Sequence, residues 1–216
     1  MTTDAAAAAR AALEGVHPEL IELSHRIYRN PELGYEEVQA AGWLADALEA
    51  AGYEVQRGYG EMATAFVAST GSGPLHVTIC AEYDALPAVG HACGHNVICT
   101  AALGAAIALK PSADALGLTV TVLGTPAEEG GGGKIPFIEA GFFEDVHASM
   151  MVHPFPTDVA EPDIIAVQQL NVTYLGRAAH ASGFPWLGIN AADAMVVAQT
   201  AIGLMRQQLL PTDRIH

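Results

Sequence analysis

The apolar positions of the chain change their period several times, and each change marks an element. Leu20, Ile21, Leu23 and Ile27 recur at helical spacing and predict a helix over residues 18–28, and Trp43, Leu44 and Leu48 predict another over residues 36–51. Asn30 and Pro31 break the run between them. Short β-branched or alternating runs predict strands at 53–57, 63–69, 75–80, 118–123 and 148–152. Gly71, Ser72, Gly73 and Pro74 form a turn joining the second strand to the third, and an Ala-rich helix over 95–109 separates the third from the fourth. Alternation of this kind predicts an α/β fold, a mostly parallel sheet with flanking helices.

After Pro162 the pattern changes to a single alternating strand over 164–175, a loop rich in Gly and Pro, and a long helix over 191–208. The expected organisation is a first domain over residues 1–164 and the start of a smaller α+β domain over 165–216. Neither a repeat nor a low-complexity linker interrupts it.

Composition narrows the functional classes. At 51% hydrophobic and 15% charged residues, the 216-residue chain can bury a substantial core. Nine Lys plus Arg against 24 Asp plus Glu give a net charge of -15, a field that repels nucleic acid and anionic lipid, so neither is an expected partner. The three cysteines, Cys80, Cys93 and Cys99, are too few for a disulfide framework and fit a reducing compartment. The Ala-rich start lacks the basic and apolar regions of a signal peptide, and no apolar stretch is long enough to span a membrane. The expected location is the cytoplasm.

Three polar clusters follow predicted strands directly. They are AEYDALPAVGHACGH after residue 80, GTPAEEGGGGK after residue 123, and the His153 of MMVHP. Carboxyl ends of strands in an open α/β sheet converge on one crevice, so these clusters can meet. Cys93, His95, His153 and Glu129 then form a mixed thiolate, imidazole and carboxylate set suited to zinc, whereas manganese would prefer more oxygen. The CxH spacing places Cys93 at a helix start, where backbone amides are expected to lower its pKa. The adjacent Glu128 and Glu129 allow one carboxylate to hold metal while the other takes a proton from water. Taken singly, a cysteine at a helix start or a pair of glutamates is more often packing or solvated surface, and Cys80 and Cys99 receive that assignment. The four glycines before Lys134 are not a phosphate loop, because Glu128 stands where that motif needs Gly and Ile135 where it needs Ser or Thr.

The strings HRIYRNPELGYEE, AEYDALPAVGHACGHN, GTPAEEGGGGK, MMVHP and GRAAHASGFPWLGINA, in that order, resemble the M20 metallopeptidase family, amidohydrolase subfamily, in the branch of aminobenzoyl-glutamate hydrolases and dipeptidases. The resemblance runs from about His25 to His216. It implies a zinc-aminopeptidase-like catalytic domain followed by a lid and dimerisation domain. It also implies two divalent metal ions per complete site, zinc first and manganese second, and a small N-acyl amino acid or dipeptide as substrate. Cys93, His95, Glu129 and His153 match the family's metal ligands, and Glu128 its general base. Asp84 matches a carboxylate that orients a ligand. His180 matches a lid histidine that reaches the partner's site in a homodimer and stabilises the tetrahedral intermediate. The broader family has His where Glu82 stands, a departure shared by the subfamily, so Glu82 is left out of the expected ligand set.

Family members continue past the lid to supply a further metal-binding His, and His216 does not match it. The expectation is therefore a chain truncated at its C-terminus, whose activity needs the remaining segment in cis or on a complementary chain, or else a non-catalytic subunit.

Overall fold

The computed structural model describes residues 2–216. Its first helix, α1 (Thr2–Arg29), runs straight through Pro18 where a helix start is expected. Residues 5–12 are mostly alanine, the strongest helix former, and this offsets the single amide hydrogen bond that an internal proline removes. Helix α2 (Val38–Ala50) buries Ala41, Leu44, Ala45 and Leu48 on one face. Glu32 caps its start, its carboxylate accepting the Gln39 and Ala40 amides at 3.0 Å.

Strands β1 (Glu54–Tyr59), β2 (Met62–Thr70), β3 (Leu75–Ala81), β4 (Leu118–Gly124) and β5 (Ala148–Met150) form one sheet in the order β1-β2-β4-β3-β5. Helix α3 (His95–Leu109) and the short α4 (Lys134–Glu139) flank the parallel strands in sequence. The expected α/β architecture is present, but the sheet is mixed. β3, β4 and β5 run parallel, whereas β2 is antiparallel to both β1 and β4. The turn at Gly71–Pro74 makes no hairpin, because β4 inserts between β2 and β3. Local turn chemistry cannot foresee that, since it says nothing about a strand arriving from later in the chain.

β4 lies at the centre of the sheet between β2 and β3, and its Val120, Val122 and Leu123 are all buried. The core collects Ile27 from α1, Leu44 and Leu48 from α2, Phe66 from β2, Ile79 from β3, and Cys99, Leu103 and Ala106 from α3. Each large aliphatic side chain buried there contributes about 1.5–3 kcal/mol relative to exposure.

The chain divides into two compact units, one ending at Pro156 and the other comprising Thr157–His216. In the second unit the strand expected over residues 164–175 does not form. That stretch is exposed and has no regular secondary structure, because no other segment of the unit pairs with it among the described residues, and an unpaired strand leaves its amides and carbonyls to water. One bridge does form, with reciprocal 2.9 Å hydrogen bonds between Arg177 and Ile189. Helix α5 (Ala191–Met205) follows, capped by the Asn190 side chain, which accepts the Ala192 amide at 3.2 Å. Among the described residues no helix is long and apolar enough to cross a membrane.

Candidate metal centre

The carboxyl ends of the three parallel strands bring the polar clusters together in the first unit. Beyond β3 the chain presents Glu82 and Asp84 on either side of Tyr83. Tyr83 turns into the core, where its hydroxyl donates to the Thr64 carbonyl at 2.6 Å and its ring stacks on Phe66 at 5.9 Å. Alternation about that anchor leaves the two flanking carboxylates free to face the site.

Asp84 organises what surrounds it. One oxygen accepts from His95 Nδ1 at 2.9 Å and the other accepts the Glu129 backbone amide at 3.0 Å. Burial pushes the Asp84 carboxyl up, but the bonds from His95 and Glu129 outweigh it and hold the group below its ordinary value. The same contact works against burial at His95, whose pKa is raised. Because a carboxylate accepts at Nδ1, the imidazole carries its proton there and its Nε2 presents a lone pair.

That lone pair meets only other acceptors. Nε2 stands 3.7 Å from Glu82 Oε2, 3.7 Å from Glu128 Oε2 and 3.8 Å from Glu129 Oε1. Of these atoms, His95 Nε2, Glu82 Oε2 and Glu129 Oε1 are buried and lack any hydrogen-bond partner. Acceptors gathered out of water with no donor between them are costly, and a cation among them relieves that cost. Close to His95, Cys93 Sγ lies 3.7 Å from His153 Nε2, while His153 Nδ1 donates to the Pro154 carbonyl at 2.8 Å. Two sets of potential ligand atoms result, Cys93 with His95 and His153, and Glu82 with His95 and Glu128, each set lying within 4.8 Å. His95 belongs to both, and the donor chemistry fits a divalent cation.

Gly94 makes this turn sterically allowed. It has φ +83° and caps α3, and a β-carbon there would stand 2.8 Å from Pro154 Cγ. The residue between Cys93 and His95 must therefore be glycine for the two side chains to flank the approach of His153.

The electrostatics of Cys93 differ from expectation. Helix α3 begins only at His95, so its amides do not serve the thiol. Burial first, and then the Glu129 carboxylate, push Cys93 up to about 11 instead of down. These two effects favour the neutral thiol in the metal-free protein. Burial, followed by Glu82 and Glu129, likewise raises Glu128.

Of the residues singled out from sequence, Asp84, Cys93, His95, Glu128, Glu129 and His153 are assembled here. His180 belongs to the second unit, where it is exposed and its Nδ1 accepts the Gly183 amide at 3.0 Å. Glu82, absent from the expected ligand set, joins the cluster. It is 2% exposed and ion-paired to Lys134, yet its second oxygen faces His95. The available signal is its two-residue spacing from Asp84 at the end of an apolar strand, which puts both carboxylates on one face.

The profile of Peptidase family M20/M25/M40 matches residues 79–203. The chain is 44% identical over 209 residues to the Xaa-Arg dipeptidase of Mus musculus, covering 90% of this chain and 48% of that protein. It is 34% identical over 225 residues to a component of the p-aminobenzoyl-glutamate hydrolase of Escherichia coli (strain K12), covering 95% of this chain and 47% of that protein. The chain thus spans about half the length of the curated relatives it matches. A crystal structure from Bacillus subtilis, described as a dinuclear metal binding peptidase from the M20 family, superposes with a TM-score of 0.57 at 27% identity, covering 63% of this chain and 42% of that one. With the profile matched over more than half of its length, and through the very segments that build the site, the chain belongs to peptidase family M20/M25/M40.

Proposed function

We propose that this protein is the metal-binding part of a hydrolase that cleaves the amide bond of N-acyl amino acids or dipeptides. The observation that carries the reading is the set of buried, unpartnered acceptors around His95 Nε2. The relatives' names support the substrate class, since one is a dipeptidase and another belongs to a hydrolase of aminobenzoyl-glutamate. Cys93, His95, Glu129 and His153 would hold divalent metal, two ions in the complete site. The thiolate and imidazoles favour zinc over manganese. A bound divalent cation supplies Lewis acidity, which lowers the pKa of water toward about 7 and polarises the scissile carbonyl.

The chain's own residues divide the remaining work. Asp84 keeps His95 in the tautomer that presents Nε2. Glu128, 44% exposed and with a raised pKa, accepts a proton from the attacking water and returns it to the leaving amine. His180 donates from its Nε2 to the developing oxyanion of the tetrahedral intermediate, acting across a homodimer built on the second unit, which forms the beginning of a lid domain after residue 165. The free cysteines support a cytoplasmic location.

The test is a chelator-competition titration followed by assay for amine release. Zinc is expected to bind tightly to the unsubstituted protein and weakly to Cys93→Ser and His95→Ala. In the complete, metal-loaded enzyme, Glu128→Gln is expected to keep its metal and lose about 10²–10⁴ in kcat. Absence of metal binding, or full turnover in Glu128→Gln, overturns the reading.

A further inference from the structure

Glu37 is a buried carboxylate that the proposed chemistry does not use. It has 0% exposure and sits just before α2, at the end of the string GYEE. Both of its oxygens are engaged. Oε2 accepts the Thr64 hydroxyl at 2.9 Å, and Oε1 accepts the Ala127 backbone amide at 2.7 Å. Ala127 directly precedes Glu128 and has φ +55°, a conformation disfavoured for any residue with a β-carbon. Such a backbone persists only where its surroundings over-determine it.

The surroundings come largely from residues 32–37. Gly34 is pressed against Ala127 so closely that a β-carbon on Gly34 would stand 2.8 Å from Ala127 Cβ. The Tyr35 hydroxyl donates to the Gly131 carbonyl at 3.1 Å, on the far side of Glu128 and Glu129. The Ala127 carbonyl in turn accepts the Gly131 and Gly132 amides at 2.9 and 2.7 Å, closing the loop that carries both glutamates. The Glu32 carbonyl accepts the Ala85 amide at 2.8 Å, next to Asp84. Thr64 connects the two sides, because its carbonyl receives the Tyr83 hydroxyl and its own hydroxyl reaches Glu37.

We propose that Glu37 is a positioning residue for Glu128 and Glu129, acting through the Ala127 amide as the centre of a brace formed by residues 32–37. The brace takes its catalytic meaning from the roles proposed above for those two glutamates. A hydrogen bond to a buried carboxylate is stronger than one between neutral groups, which suits it to hold a loop in a strained shape. Because the role is to accept hydrogen bonds, an isosteric amide can fill it. Glutamine offers Oε1 to the Ala127 amide and its NH₂ to the Thr64 hydroxyl, which can rotate to accept.

The experiment compares Glu37→Ala, Glu37→Gln and Tyr35→Phe in the complete, metal-loaded protein by amide hydrogen exchange over residues 124–133, by zinc affinity, and by kcat and KM. Glu37→Ala is expected to speed exchange in that loop by about ten- to a hundredfold and to lower kcat by at least about tenfold, with KM little changed. Glu37→Gln is expected to stay within about threefold of the parent on both readouts. Tyr35→Phe removes only an exposed side-chain bond and cannot unfold the core, and it is expected to speed loop exchange by several-fold. Unchanged loop exchange in both Glu37→Ala and Tyr35→Phe overturns the proposal, as does a Glu37→Gln protein as impaired as Glu37→Ala. If the parent binds no metal and hydrolyses nothing, the proposed function fails, while loop exchange still decides whether the brace exists.

Discussion

Replacing Asp84 by Asn separates the stability of the fold from the competence of the site. Asp84 accepts two hydrogen bonds, from His95 Nδ1 at 2.9 Å and from the Glu129 amide at 3.0 Å. An asparagine has one acceptor oxygen, so only one of these bonds survives unchanged. If its NH₂ faced the Glu129 amide, two donors would meet in a buried place, at a cost of about 1–3 kcal/mol. The opposite orientation avoids that: the amide oxygen keeps Glu129 and the NH₂ donates to His95 Nδ1. His95 must then shift its proton to Nε2, the atom that faces Glu82, Glu128 and Glu129. Those carboxylates accept the proton well, so the metal-free fold loses little, but the lone pair needed for metal is gone. A lost orienting partner costs about 10–100-fold in metal affinity. With free metal at 100 times the parent's Kd, binding stabilises the parent by about 2.7 kcal/mol and a variant weakened a hundredfold by only about 0.4 kcal/mol. Calorimetry with and without zinc, together with chelator competition, reads both quantities. Parent-like zinc affinity in Asp84→Asn would refute the reasoning.

Cys93→Ser is expected to lose metal by elemental analysis, whereas Cys99→Ser, altering a thiol buried away from the site, keeps it; equal content in both removes Cys93 from the ligand set. Gly94→Ala must adopt φ +83° against Pro154, so it should destabilise the metal-free protein by at least about 1–2 kcal/mol and weaken metal binding, and a melting temperature equal to the parent's would contradict the turn geometry. His95 has a folded pKa above its ordinary 6.5, so its contribution to metal-free stability is complete below the unfolded value and is lost as pH rises through the folded one. Metal affinity should run the opposite way and rise across that window, because protons and metal compete for Nε2; parallel trends in a pH series of metal-free melting and zinc titration would show that His95 is not the group responsible. His180→Ala should lower kcat with metal content intact, and mixed dimers of His180→Ala with Glu128→Gln should recover part of the activity if the histidine acts across subunits.

Most of the elements, and the chemistry they carry, are legible along the chain before any folding is considered. Apolar runs end abruptly in polar clusters after residues 80, 123 and 152, and because strand periodicity is local, the placement of Asp84, Glu128, Glu129 and His153 at strand ends follows from the pattern. The CxH spacing likewise puts Cys93 and His95 at one turn, and Gly94 between them states its own steric requirement. Properties that depend on a distant partner emerge only when the chain folds. The insertion of β4 between β2 and β3 makes the sheet mixed, and residues 164–175 form no strand because nothing among the described residues pairs with them. Glu82 and Glu37 become significant only once folding brings Lys134 and His95 to one and Ala127, 90 positions away in sequence, to the other. The raised Cys93 thiol has the same origin. A helix start seen in sequence suggests stabilisation of the thiolate, but the pKa follows from burial and a neighbouring carboxylate, which exist only after the chain has closed around them.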